Sequence, residues 1–98
     1  VRAPKLASLG FSLVGGRLLP GPNGAAAQFM YEDASGRRVT LFFEPSPNEK
    51  ETAFQYTSLE GLNSFYWLDN RISYALVGDL PREALTPLAH EIYRQLNA

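Results

Sequence analysis

The sequence predicts an α+β domain: an antiparallel sheet of about six short strands in hairpin succession, packed by one C-terminal amphipathic helix. Three observations carry this. From Phe11 to Val77 apolar residues recur mostly with a period of two, between turns built from Gly, Asn and Asp. After Gly78 the period changes to 3.6, with Leu85, Leu88, Ala89, Ile92 and Leu96 on one stripe. Strands and helices nowhere alternate, which argues against a parallel nucleotide-binding sheet.

The elements follow in order. Pro4 ahead of Lys5-Leu6-Ala7-Ser8-Leu9 suits one helical turn, stopped by Gly10. Phe11 to Leu19 reads as a strand interrupted at Gly15-Gly16, where paired glycines suggest a bulge or a close backbone approach. Pro20-Gly21-Pro22-Asn23-Gly24 reads as a loop. Ala26–Glu32 and Arg38–Glu44 form the clearest hairpin, joined through Asp33-Ala34-Ser35-Gly36.

Pro45 to Thr52 holds two prolines and the polar run Glu49-Lys50-Glu51-Thr52, so nothing in it is expected to pair in a sheet or bury apolar area. Three strands follow, about Ala53–Ser58, Asn63–Leu68 and Ile72–Val77, turning at Glu60-Gly61 and at Asp69-Asn70. The helix is expected from Pro81 to Leu96. Pro87 either distorts it or begins a fresh helix capped by Thr86.

With 98 residues, 45% of them apolar and 12% aromatic, the chain suits one core that needs no covalent staples. A formal net charge of −1 gives no electrostatic reason to expect nucleic acid as a partner. The chain has no cysteine, which removes disulfides, thiolate nucleophiles and cysteine metal sites together. No apolar run approaches the roughly 20 residues of a membrane helix. The start at Val1 rather than Met reads as a single domain, residues 1–98, cut from something longer.

Residues that could carry chemistry are few, and the expectation is no catalytic, cofactor or metal site. His90 is the sole histidine, and it sits off the apolar stripe beside Glu91 and Arg94, as a solvated residue would. One histidine without cysteine is too few ligands for a metal site, and no serine lies in a G-x-S-x-G elbow. Glu32 and Asp33 are strand neighbours and point to opposite faces. Arg37-Arg38 faces them across the hairpin, which suggests cross-strand ion pairs ahead of an anion site.

The aromatic residues say more. Phe42-Phe43 and Phe65-Tyr66-Trp67 put rings on both faces of their strands, so one set meets the helix. The other set, Phe42 and Tyr66 with Met30, is left for a partner to cover, unless the sheet curls around its own core.

Three stretches together resemble a known family. They are Gly10–Leu19, Ala26–Asp33 continuing through Gly36–Leu41, and Phe65-Tyr66-Trp67 with Tyr74–Leu80; Leu88-Ala89 and Ile92–Leu96 fit as well. They are similar to the C-terminal, extracytoplasmic domain of bacterial transmembrane anti-sigma factors. The resemblance implies a periplasmic regulatory or sensing domain of an inner-membrane protein that controls sigma-dependent transcription. It implies envelope proteins or a protease as partners, or self-association through the exposed aromatic face. A sigma factor would be met only by a cytoplasmic segment outside these residues. No family site residue carries over, because every matching position is a strand, turn or core residue. The alternative is a small module of the cell envelope binding an apolar ligand such as a lipid, in a cavity lined by Phe29, Phe43, Trp67 and Tyr74.

A control by proteolysis, as the resemblance implies, needs an extended, unprotected segment. Limited digestion is expected to cut first within Pro45–Thr52. A first cut at Arg37-Arg38 or Arg71, with that loop intact, overturns the expectation.

Overall fold

The structure is a computed structural model that describes residues 2–47 and 50–97. One turn of 3-10 helix, Ala7–Leu9, ends at Gly10, whose φ of 87° is the left-handed conformation glycine adopts without penalty. Six strands follow: β1 (Phe11–Gly21), β2 (Gly24–Asp33), β3 (Arg38–Pro45), β4 (Gln55–Leu59), β5 (Leu62–Asp69) and β6 (Ile72–Gly78). The helix α1 (Arg82–Leu96) closes the chain. The strands form one antiparallel sheet in the order β1-β2-β3-β6-β5-β4. Two three-stranded meanders are thus joined along β3 and β6, where Leu41 pairs with Leu76 and Phe43 with Tyr74.

Several turns are tighter than their composition suggests. The stretch Pro20–Gly24 is not a loop: β1 runs to Gly21, β2 starts at Gly24, and only Pro22-Asn23 turn. Glycine permits this, since a Cβ on Gly21 would lie 2.8 Å from the Gly24 carbonyl oxygen. The β5–β6 turn is Asn70-Arg71, with φ of 51° and 63°, and not Asp69-Asn70. A two-residue hairpin of this hand needs positive φ at both positions, and here an arginine supplies one of them. Asp69 is therefore the last residue of β5, is buried, and accepts a 3.0 Å hydrogen bond from Asn97 Nδ2.

At Gly15-Gly16 both readings hold. The register shifts between Leu13 and Gly15, and side chains of β2 lie close over each glycine. A Cβ on Gly16 would come within 2.9 Å of the Phe29 ring, and one on Gly15 within 3.1 Å of Met30 Cε on the other face.

The helix is unbroken through Pro87. Thr86 is no cap, because its hydroxyl donates to the Arg82 carbonyl one turn back at 2.8 Å. Pro87 is the sixth helical residue, so its ring removes the one N–H that would have bonded the Glu83 carbonyl, on an exposed side of the helix. Pro81 stands outside the first turn as the extended residue before it, and its carbonyl accepts from Ala84 and Leu85 N–H.

The core lies on one face of the sheet. Leu85, Leu88, Ala89 and Ile92 of α1 are buried against a layer that includes Leu41, Phe43, Phe65, Trp67, Tyr74 and Leu76. Leu96 continues the stripe, partly buried at its end. The N-terminal segment covers more of this face: Leu6 is 1% exposed, and Tyr31 donates its hydroxyl to the Pro4 carbonyl at 2.7 Å. Burial pushes the Tyr31 phenol up to about 12. Gln95 clasps the segment to α1, accepting from Lys5 N–H at 2.8 Å and donating to the Lys5 carbonyl at 2.7 Å.

Within the segment Pro45–Thr52, Asn48 and Glu49 lie outside the described residues. The expectation that nothing in the segment pairs needs correction at both ends. Ser46 N–H donates to the Arg71 carbonyl and Thr52 N–H to the Leu68 carbonyl, each at 2.9 Å. The Thr52 hydroxyl also accepts from Leu68 N–H. Ala53 and Phe54 consequently precede the strand, and β4 begins only at Gln55.

The geometry of α1 sets an expected contrast. Ile92→Ala removes a fully buried side chain and should cost about 2–4 kcal/mol. His90 is exposed but stacks on Phe54, so His90→Ala should cost at most about 1 kcal/mol. Chemical denaturation of both variants measures this, and equal losses would show the helix rotated from the placement described.

Candidate functional site

The pleat and the register assign every strand residue to one of two faces, and only one face is covered by α1 and the N-terminal segment. The other face is a grid that the pairing defines row by row. One row holds Arg17, Gln28, Phe42, Ala75, Tyr66 and Gln55, from β1 across to β4. The next row holds Gly15, Met30, Thr40, Val77, Ser64 and Thr57. Glu32 and Arg38 lie beyond the second row, with Leu62 and Leu59 of the β4–β5 hairpin at the same end. Glu44 and Ser73 lie beyond the first, with Leu68 beside them.

Phe42 is 39% exposed, Tyr66 42% and Leu62 54%, so aromatic and aliphatic carbon lies open on this face. The sheet does not curl over it. Of the two readings of the two-sided strands, the open face is the one realised. A groove of about 560 Å³ runs along it, floored by Thr40, Phe42 and Val77, walled by Leu62 and rimmed by Arg38 and Asp79. An exposed apolar surface with a polar rim has the anatomy of a protein-recognition surface.

The residues singled out for chemistry are not brought together. His90 lies on the outer side of α1 with its ring 5.2 Å from that of Phe54. Glu91 turns away from it to Arg94 and Gln95, whose hydrogen bonds, strongest from Arg94, hold its carboxyl at about 2. Glu32 and Asp33 each take a separate arginine, at 2.7 Å from Arg38 and 2.8 Å from Arg37, so the cross-strand ion pairs form as expected. Partial burial raises the Asp33 carboxyl. The Ser35 hydroxyl, the Arg37 N–H and the Arg37 guanidinium outweigh it and bring the group down to about 2. Both guanidinium groups are engaged by carboxylates, and each side chain stays more than half exposed. Among the described residues no cluster of three or more His, Asp or Glu side chains is placed to hold a metal ion. Nor is any helix there long and apolar enough to cross a membrane.

The four rings proposed to line a ligand cavity instead touch one another. Phe29 meets Phe43 edge-on at 5.6 Å between centroids, Phe43 meets Tyr74 at 5.1 Å, and Tyr74 stacks on Trp67 at 5.2 Å. Phe54 closes the row, 4.8 Å from Trp67 and packed also on Phe65, His90 and Tyr93. The space between sheet and helix is filled by these rings. One group pays for the packing: Trp67 Nε1 is buried without an acceptor, a cost of about 1–3 kcal/mol against the large area the indole buries.

Sequence reasoning placed Phe54 in the strand Ala53–Ser58 but did not single it out as a ring packed on the core. It also missed the face-wide alternation of a row of large side chains with a row of smaller ones. That alternation depends on register, and the two meanders are set against each other only by the β3–β6 pairing. Comparisons of the chain with protein-family models, with curated proteins and with solved structures gave no match.

The two depressed carboxyls fix an acid response. Asp33 and Glu91 have folded values near 2 against ordinary values of 3.8 and 4.5. Their contribution is present above the ordinary value and is lost as pH falls toward 2. The melting temperature should therefore hold from neutral pH to about 5 and fall below about 4.5. Asp33→Asn together with Glu91→Gln should flatten the fall, and an unchanged acid limb in that variant would contradict the assignment.

Proposed function

We propose that this domain is a non-catalytic recognition module that works through its open sheet face. We propose further that it serves as the extracytoplasmic regulatory domain of a membrane-bound anti-sigma factor. The observation that supports a recognition role is the uncovered face itself, where Phe42, Tyr66 and Leu62 remain exposed on a fold whose other face is filled. Burying such rings against a protein partner is favourable at about 25 cal/mol per Å² of apolar area. The sigma-regulatory role draws on the resemblance of the three stretches quoted above. In that reading the domain sits in the periplasm, and its occupancy is communicated through a membrane helix to a cytoplasmic segment that holds the sigma factor.

The reading can be tested in the parent gene and in cells. The sequence preceding Val1 is expected to encode one membrane-spanning stretch and a short cytoplasmic segment. Phe42→Lys in the parent protein should shift a sigma-dependent reporter several-fold at unchanged protein abundance, because the open face contributes to signalling and not to folding. A parent chain without an apolar span before this domain refutes the sigma-regulatory role. A reporter indifferent to Phe42→Lys refutes the role of the face.

A further inference from the structure

We infer that the occupant of the open face is a second copy of this domain, related by a two-fold axis that lies in the plane of the face and crosses the strands. This rests on the proposed docking role of the face and names its partner. The argument is one of shape and charge. On β3 the open-face residues are Arg38, Thr40, Phe42 and Glu44. A two-fold axis passing over Leu41, at right angles to the strand, lays β3 antiparallel on its own copy. Phe42 then sits over Thr40 of the second copy, and Glu44 sits over Arg38 of the second copy, each twice by symmetry.

The same operation keeps each strand over its own copy and exchanges the two central rows of the grid. Tyr66 comes to lie over Ser64, and Arg17 over Gly15, so on three of the six strands a large side chain is set over a small one. On β6 the order is reversed, with Val77 over Ala75, and the relation is again complementary. The ridge of one copy enters the groove of the other, and the groove floored by Thr40 and Val77 is where the second Phe42 lands. Aligned sheet packing tilts the strands by about 30°, which keeps Phe42 close to Thr40 near the axis and moves Glu44, about 10 Å from it, sideways by about 5 Å, a distance the long Arg38 side chain spans.

The charges agree with this arrangement. Arg38 keeps 62% of its side chain exposed while bonded to Glu32, so its guanidinium has room for a second carboxylate. The footprint also suffices. Six strands about 4.8 Å apart and four rows of side chains about 6.8 Å apart cover roughly 500–600 Å² per copy, or somewhat over 1,000 Å² in total, the size of a weak, reversible association.

Sedimentation equilibrium of the domain, from micromolar to millimolar concentration, is the test. The mass is expected to rise from 10.9 kDa toward twice that value. Glu44→Arg and Arg38→Glu should each weaken association about tenfold or more, since each sets like charges face to face. The double variant Arg38→Glu with Glu44→Arg should recover part of the loss, because opposite charges again face each other across the interface while Glu32 still meets a like charge at position 38. Phe42→Lys should be monomeric throughout, with the wild-type circular dichroism spectrum showing that it folds. A wild-type domain that stays monomeric overturns the inference, as does a dimer that survives both Phe42→Lys and Glu44→Arg. Failure of the double variant to recover association overturns the pairing of Glu44 with Arg38. A monomeric wild type combined with a reporter that responds to Phe42→Lys would retain the docking face and reject only the second copy as its occupant.

Discussion

The contact between the α1 stripe and the Trp67 layer organises the molecule, because a helix about 10 Å across shields little more than two strands spaced about 4.8 Å apart. α1 lies on β5, and its Leu85, Leu88, Ala89 and Ile92 close the middle of one sheet face. Everything beyond its reach on that face must be covered by something else. The N-terminal segment with Leu6 does so beside β2, held by the Tyr31–Pro4 and Gln95–Lys5 hydrogen bonds. Phe54 does so on the β4 side, sealed under His90 and Tyr93. Among the described residues no third segment packs on the opposite face, where Phe42, Tyr66 and Leu62 stay exposed.

That shortage of cover links packing to the proposed recognition role. A sheet with rings on both sides and a helix on one either curls or presents its second side. Here the glycines of β1 allow close packing at the sheet edge without closing it. Phe29 lies over Gly16 on the core side and Met30 over Gly15 on the open side, so β2 supplies side chains to a stretch of β1 that has none. The result is a continuous open grid with Phe42 and Tyr66 in its central row.

The distribution of charge supports the same division. The ion pairs Arg37–Asp33, Arg38–Glu32 and Arg94–Glu91 are local in sequence and lie at the ends of strands or on the outer side of α1. Such exposed pairs add little to stability at neutral pH. They leave the middle of the open face uncharged, where a partner can bury it without desolvating an ion, and they place Arg38 and Glu44 at the two ends of one strand.

Much of this was legible in the residues alone. The period of two, the hairpin turns and the change of period after Gly78 determined six strands and one helix, since side-chain alternation and helical stripes are local consequences of backbone geometry. The same alternation put Trp67 and Tyr66 on opposite faces and favoured Trp67 under the helix, and the packing decided for Trp67. Tertiary structure alone decided the rest. Strand order joins β3 to β6 across almost thirty residues, a choice that loop-closure entropy and core packing make together and no local signal records. The same pairing sets the two meanders in register and so creates the rows of the open face. Arg71 takes positive φ and Thr86 bonds backward in an unbroken helix because the surrounding pairing and packing outweigh local preference. Phe54 packs against the core, partly buried, because the hydrogen bonds of Thr52 to Leu68 bring the end of a polar loop against Trp67.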